Sequence, residues 1–486
     1  MKRGEMKNSI AGKNFYITTT LPYVNADPHI GFAMEITRAD IIARYKKFAG
    51  FNVFFNTGTD EHGLKIYRKA LEIGQDPQKY VDGYAEKFKD LICVLNLSEG
   101  INFVRTTDER HKNSAQEFWK VCDKNGYIYK KNYKVKYCVG CELEKTESEL
   151  ENGCCPIHSN QKIEIIEEEN YFFAFSKFQK PLLELYENNP DFVIPSSRLN
   201  EVKAFVERGL EDFSVSRLKS KMPWGVAVPN DPEHIMYVWF DALVNYISAI
   251  GWPDDTDKFH RWWPVTQYCG KDNLRQQAAM WQAMLLAARL PISKQIIVNG
   301  FITSGGQKIS KSLGNVVSPA SIVSEYSADA LRYYFARELN PFEDSDFTVD
   351  KFKDIYNANL ANGLGNLTSR IMKMAETYLE NPILGEEKFE FPKEFVGYIE
   401  KFELNKAMDF IWRKIAEMDS YIQKKQPFKT IKEDKGEGER MIIHLVQELG
   451  DVADLLQIFM PSTSENIKKA IRENKMLEKA LFPRKD

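Results

Sequence analysis

The period of the apolar residues changes twice within the first sixty positions, and each change marks an element. Phe15–Thr20 is a run of β-branched and aromatic residues with the character of a strand. Ile30, Met34, Thr37, Ile41, Tyr45 and Phe48 then recur at steps of three or four, the period of a helix face. Asp27 fits the N-cap of that helix, Pro28 its first residue and Gly50 its end. Phe51–Phe55 reads as the next strand. A strand, a helix and a strand in this order predict a parallel α/β domain that binds its ligands at the strand C-terminal ends.

From about Tyr127 to Gly225 the pattern becomes short, aromatic-rich strands and polar loops. The α/β pattern returns with Tyr237–Phe240 and Gln295–Ile302, so the middle stretch reads as an insertion. Beyond about Asp350 the periodicity is helical, with Lys429–Arg440, charged and glycine-containing, expected as a solvated loop between helices. The expected boundaries are 13–126 and 226–302 for the two halves of the α/β domain and 127–225 for the insertion. A signature-loop and stem-contact region at 303–350 and an all-helical domain at 351–486 follow.

Composition narrows the class. At 486 residues the chain exceeds one compact core. No run of about 18 apolar residues suggests a membrane span, and Met1–Lys13 lacks a signal-peptide core, so a cytoplasmic protein is expected. Lys and Arg (66) nearly balance Asp and Glu (69), which leaves RNA binding open, since a local basic face is enough. Of seven cysteines, four fall between Cys138 and Cys155, a clustering that suits a metal better than disulfides. Cys138-x₂-Cys141 and Cys155-x₂-His158, thirteen residues apart, form a strong zinc signature. Four protein ligands leave no open position, so the zinc is expected to be structural. Cys154 is a possible competitor, disfavoured by its spacing to His158.

Two segments carry candidate phosphate chemistry. Pro28-His29-Ile30-Gly31 begins the first helix, where free N–H groups and the helix dipole attract anions. His29 can donate to a phosphate oxygen, and Gly31 lets a nucleotide approach the backbone. Gly305-Gly306-Gln307-Lys308-Ile309-Ser310-Lys311-Ser312 offers two lysines and two serines in a loop that the glycines would make mobile. Such a loop can stabilise charge on a departing pyrophosphate. Each segment alone also fits a plainer reading, a capping turn or a solvated basic turn.

Together, His-Ile-Gly after the first strand and Lys-Ile-Ser-Lys-Ser after a late one resemble the two signatures of class I aminoacyl-tRNA synthetases. The likeness extends through Thr20–Asn25, Gly58-Thr-Asp-Glu-His-Gly63, Tyr237-Val-Trp-Phe-Asp-Ala242, Gly270-Lys-Asp272 and Asp329-Ala-Leu-Arg-Tyr-Tyr334. Over nearly the whole chain it resembles the methionyl-tRNA synthetase family. The resemblance implies a Rossmann-like catalytic domain split by the zinc insertion, with a helical-bundle anticodon-binding domain after it. It also implies activation of methionine with ATP, Mg²⁺ accompanying the ATP, and transfer to the 3′ end of methionine tRNA.

By the same resemblance His29, Lys308 and Lys311 would be catalytic. His29, Gly31, Gly270, Asp272, Lys308, Ser310 and Lys311 would bind ATP. Asp60 would pair with the amino group of methionine. Leu21, Tyr23, Trp239, Ala242 and Tyr246 would wall its side chain, whose thioether calls for shape and polarizable aromatics rather than charge. Three positions depart from the family: Phe32 ends the first signature, and Asn273 and Gln277 stand beside the pocket where an apolar residue and a His are common. In the helical third, Asn359 and Arg370 are eleven residues apart and would share one face of an α-helix. Phe428 takes the slot of the aromatic residue on which a splayed base stacks. No further C-terminal module is visible, which predicts a monomer. Two alternatives stay open: a class I synthetase for another amino acid, which Phe32, Asn273 and Gln277 keep alive, and a paralogue that binds tRNA without charging it.

Overall fold

The computed structural model describes residues 12–145, 147–308, 317–383 and 389–486. Contacts divide the chain into two compact units. The first contains Met1–Pro28, Ala49–Asp90 and Glu99–Asn299; the second contains His29–Phe48, Leu91–Ser98 and Gly300–Asp486.

The first unit is built on a six-stranded sheet: β1 (Asn14–Thr18), β2 (Asn52–Thr59), β3 (Asn102–Arg105), β4 (Val193–Ile194), β5 (Val265–Gly270) and β6 (Gln295–Asn299). Its spatial order is β3-β2-β1-β5-β6-β4, and every pairing is parallel. A parallel sheet is covered on both faces, so its strands bury nearly every side chain. In β1, β5 and β6 only the first or last residue is not fully buried. Tyr16, Val265, Cys269, Ile296 and Val298 lie in one core with Phe118, Phe240 and Trp281. Successive strands lie on opposite sides of β1, so β1 and β5 flank the point where the strand order reverses. In an open α/β sheet, ligands bind beyond the strand C-termini at that point.

Two parts of this unit differ from the sequence expectation. The stretch read as short strands and polar loops also contains helices, Gln179–Asn188 and Ser196–Glu207, on either side of β4. Leu182, Leu185 and Tyr186 in one and Leu199, Val202 and Val206 in the other bury helical stripes in the main core. The Tyr237–Phe240 run is the start of a helix, Val238–Ala242, and not a strand. The cysteines sit beside a long antiparallel pair, Ile128–Cys138 with Glu164–Phe173.

Among its described residues the second unit is helical apart from a small three-stranded sheet of Ile302–Ser304, Gln307–Lys308 and Ser345–Asp346. In its helix Ile30–Phe48 the buried charges of Arg38 and Asp40 are paired. Arg38 donates to the carbonyls of Phe335, Leu339, Asn340 and Pro341. Asp40 meets Arg332 at 2.8 Å and Arg44 at 2.8 Å. Asp329 accepts from the Thr463 N–H at 2.6 Å. The Asp329–Tyr334 motif therefore joins helices.

The segment Lys429–Arg440, expected as a loop, is two helices, Pro427–Glu433 and Lys435–Leu456. Asp434 caps the second by accepting from the Glu437 N–H at 2.9 Å. Gly438 lets the helices approach: a Cβ there would lie 2.3 Å from Ile431 Cβ and 2.7 Å from its backbone N. Gly438→Ala is accordingly expected to lower stability to denaturant by about 1–3 kcal/mol, the cost of overpacking a tight contact, despite alanine's better helix propensity.

Candidate active site and metal centre

Beyond the C-terminal ends of β1, β2 and β5 the first unit gathers most of the proposed amino-acid pocket. Tyr23 and Asp60 pair backbone to backbone: the Asp60 N–H donates to Pro22 O at 3.0 Å and the Val24 N–H to Asp60 O at 3.2 Å. The Asp60 side chain is 4% exposed, and its Oδ1 has no hydrogen-bond partner among the described residues. Burial first, then the nearby charge of Asp241, pushes its carboxyl well above the ordinary range. A buried carboxylate in this condition is short of a cation. Asp241 is in the opposite state. Burial pushes its carboxyl up, but His62 (Nδ1 to Oδ2, 3.0 Å) and His111 bring it below its usual value.

The walls are aromatic and amide. Tyr23 donates to His62 O at 2.6 Å, and this contact fills the space where any side chain at Gly63 would stand. Trp239 and Ala242 belong to the helix Val238–Ala242, and the indole Nε1 of Trp239 is buried without a partner among the described residues. Tyr246 is fully buried; its hydroxyl accepts from Gln277 Nε2 at 2.7 Å, while Gln277 Oε1 accepts from Gln267 Nε2 at 2.6 Å. Gln277 therefore has its amide tied at both ends. Leu21 is half-buried in the loop after β1. Gly270 ends β5 and exposed Asp272 follows it, its Oδ1 accepting from Asn273 Nδ2 at 3.2 Å. The amide network and the Asp241 pair have no signature in the sequence, although Gln277 is one of the three departures from the family and His62 and Asp241 lie within Gly58–Gly63 and Tyr237–Ala242.

In the second unit the helix begins at Ile30, later than expected, and the N-cap is His29. Its carbonyl accepts from Ala33 N–H, and its Nδ1 accepts from Gly31 N–H at 3.1 Å. A neutral imidazole that accepts at Nδ1 carries its proton on Nε2, the atom able to donate outward. A side chain at Gly31 would come within 2.9 Å of the His29 ring. Asp27, expected as the cap, instead pairs with Lys87 at 2.7 Å. The expectation of free N–H groups also changes, since Ile30 N–H donates to Val317 O at 3.2 Å. Val317 lies five residues beyond Ser312, the end of the second signature segment. Of that segment, Gly305 and Gly306 both have positive φ and make a two-residue hairpin turn. The Gly306 N–H donates to Asp346 Oδ1 at 2.9 Å, so Asp346 holds the turn that the two glycines form. Lys308 pairs with Thr303 in the hairpin. Ser310 and Lys311 lie outside the described residues.

Cys138, Cys141, Cys155 and His158 bring one ligand atom each within 4.8 Å of one another. Cys141 Sγ lies 3.4 Å from Cys155 Sγ and 3.2 Å from His158 Nδ1. A tetrahedron with metal–sulfur bonds of about 2.3 Å has edges of roughly 3.8 Å, so these residues can hold a metal ion together. Cys154 is not in the cluster. Gly140 makes room for the imidazole: a Cβ there would meet His158 Cγ at 2.5 Å. Gly140→Ala should therefore weaken metal retention about 10–100-fold, measured by competition with a chromogenic chelator.

Asn359 and Arg370 do not share one face of a regular helix. Tyr356–Gly365 is π-helical and only Asn366–Tyr378 is α-helical, which breaks the three-turn phase. Asn359 donates to the Tyr333 hydroxyl at 2.9 Å, whereas Arg370 pairs with Asp419 at 2.5 Å. Arg370 and Phe428, the latter 41% exposed, line a cavity of about 310 Å³ with Ser369, Lys373, Met374 and Ile422. Asn359 is not in its lining.

Among the described residues no helix is long and apolar enough to cross a membrane. The family model for class I tRNA synthetases (M) matches residues 15–164 and 141–372. The methionine–tRNA ligase of Thermotoga maritima is 41% identical over 473 residues, covering 93% of this chain and 74% of its own length. That of a Nostoc species is 40% identical, covering 94% and 89%. The solved structure of Mycobacterium tuberculosis methionyl-tRNA synthetase in complex with methionyl-adenylate superposes with a TM-score of 0.89 at 31% identity, over 97% of this chain and all of that one. With its parallel sheet, Cys₃His cluster and helical C-terminal region, this chain belongs to the methionine–tRNA ligases of the class I aminoacyl-tRNA synthetases.

Proposed function

We propose that this enzyme joins methionine to ATP, forming methionyl-adenylate and pyrophosphate, and then transfers the methionyl group to the 3′ end of methionine tRNA for translation in the cytoplasm. The buried Asp60 carboxylate, with one oxygen lacking a partner beside aromatic walls, carries the reading. An α-ammonium supplies the charge and the donor that this oxygen lacks. Leu21, Tyr23, Trp239, Ala242 and Tyr246 enclose the thioether. Gln277 acts by holding Tyr246, and Asn273 by orienting Asp272.

The reaction is an attack of the methionine carboxylate on the α-phosphorus with loss of pyrophosphate. Little covalent chemistry falls to the protein, which positions the reactants and neutralises charge. Gly270 and Asp272 bind the nucleoside part of ATP. His29, Lys308, Ser310 and Lys311 oppose negative charge on the phosphates, and Gly31 keeps the His29 ring in place. Mg²⁺ accompanies the triphosphate. Cys138, Cys141, Cys155 and His158 hold a structural zinc. In the helical unit Arg370 and Phe428 read an anticodon base, the guanidinium by hydrogen bonds and the ring by stacking. Asn359 supports that surface through Tyr333.

Incubation of the purified protein with ATP, Mg²⁺, bulk tRNA and labelled methionine tests this function. Base-labile label on tRNA is expected. Adenylate formation without any label on tRNA would contradict the transfer step.

A further inference from the structure

Glu142 directly follows the cluster residue Cys141, yet its side chain points away into the protein and is 4% exposed. Its φ of +52° lies in the left-handed region, which a non-glycine residue occupies only when its surroundings hold it there. Those surroundings are specific. One carboxylate oxygen accepts from the Lys65 N–H at 2.7 Å and, at 3.3 Å, shares with His62 O the single proton of the Tyr23 hydroxyl. The other accepts from the Tyr137 hydroxyl. The backbone carbonyl of Glu142 accepts from the Tyr237 hydroxyl.

These partners belong to both sides of the amino-acid pocket. Tyr23 is paired to Asp60 through the backbone and also donates to His62 O. Tyr237 immediately precedes the helix that carries Trp239 and Ala242. One residue thus binds the wall that presents the carboxylate and the start of the wall that presents the indole. Its own backbone is fixed from the other direction by Cys141.

We propose that Glu142 is a positioning residue that couples the metal knuckle to the methionine pocket. With metal on Cys141, the carboxylate and carbonyl of Glu142 hold Tyr23 and Tyr237 at the spacing methionine needs. Without metal the clamp loosens and the pocket binds methionine more weakly. This rests on the proposed function, since it takes methionine as the pocket's ligand.

The test is equilibrium dialysis of labelled methionine, without ATP, against native protein and Glu142→Ala, each zinc-replete and zinc-stripped. Metal content is measured in parallel. Glu142→Ala is expected to keep one zinc per chain and to bind methionine about tenfold more weakly, in line with the loss of other partners just outside a metal's ligands. Stripping native protein should weaken methionine to a similar degree, and stripping the variant should add little, since the two changes break one connection. Glu142→Gln should recover most of the affinity, because an amide oxygen still accepts from Lys65 and an amide N–H can donate to Tyr137. Tyr23→Phe removes one link while keeping the ring, and carries the same test if Glu142→Ala does not fold. Unchanged methionine affinity in Glu142→Ala, or effects of stripping and substitution that multiply, would overturn the coupling and leave the proposed function standing. No methionine binding by native protein would overturn both.

Discussion

Asp60→Asn is expected to weaken methionine binding by about 10²–10³-fold, roughly 3–4 kcal/mol, the usual cost of removing one partner of a buried charge pair. The same change should raise the stability of the ligand-free protein at neutral pH. In the absence of an ammonium, Asp60 is a desolvated carboxylate near Asp241, and a neutral isostere relieves that cost. Its folded-state carboxyl titrates above the unfolded value, so the folded form holds the proton more tightly. Stability from this group is therefore present at low pH and lost as pH rises through the raised folded value. Thermal unfolding followed from pH 5 to 8 should show that loss in the native protein and a flatter profile in Asp60→Asn. Methionine favours the ionised form, so its protection of the native protein should grow with pH. A variant both weaker in methionine binding and less stable at every pH would place Asp60 in the framework instead.

The second large effect is expected at His29. Its Nδ1 accepts from the Gly31 N–H, which places the ring proton on Nε2, the nitrogen that donates to a phosphate in the proposed reaction. His29→Ala should lower the rate of adenylate formation about 10²–10³-fold, as the loss of one donor aimed at developing charge does elsewhere. The methionine KM should stay within about twofold, because the contact is made to phosphate and strengthens in the transition state. Alanine also removes the helix cap, worth about 1 kcal/mol. His29→Asn separates the roles, since asparagine is a good cap but a shorter donor. It should restore thermal stability without restoring the rate. Recovery of both together would show that His29 acts through the helix alone.

Parts of this molecule that follow from short-range chemistry were legible in the sequence. The opening β1, helix and β2 came from periodicity, and the candidate metal ligands came from two x₂ spacings, each of which places the two atoms of its pair together whatever the surrounding fold. What escaped was set by tertiary contact. β4 has two residues, too few to show any pattern, and exists because it pairs with β6. β5 shows no strand pattern in the sequence, because Thr266 and Gln267 interrupt its apolar run. Both are buried, and Gln267 is accommodated by its bond to Gln277. Lys429–Arg440 looked like a loop because Gly436 and Gly438 weaken a helix, yet Gly438 is what lets Ile431 sit against it. The Asp434 and Glu437 capping pair was the available signal. The π-helical Tyr356–Gly365 has no sequence period of its own, so the phase between Asn359 and Arg370 could not be read along the chain. Glu142 and the Asp241 pair with His62 act at long range, and only the fold brings them beside Tyr23 and Asp60.

ATP–pyrophosphate exchange, run with each of the twenty amino acids in turn on zinc-replete protein, tests the central claim most directly, because it isolates adenylation from tRNA recognition. Exchange that depends on methionine alone is the predicted result, and it would make Phe32, Asn273 and Gln277 tolerated variations. Exchange driven by another amino acid, or none with any of the twenty in folded protein, would contradict the account.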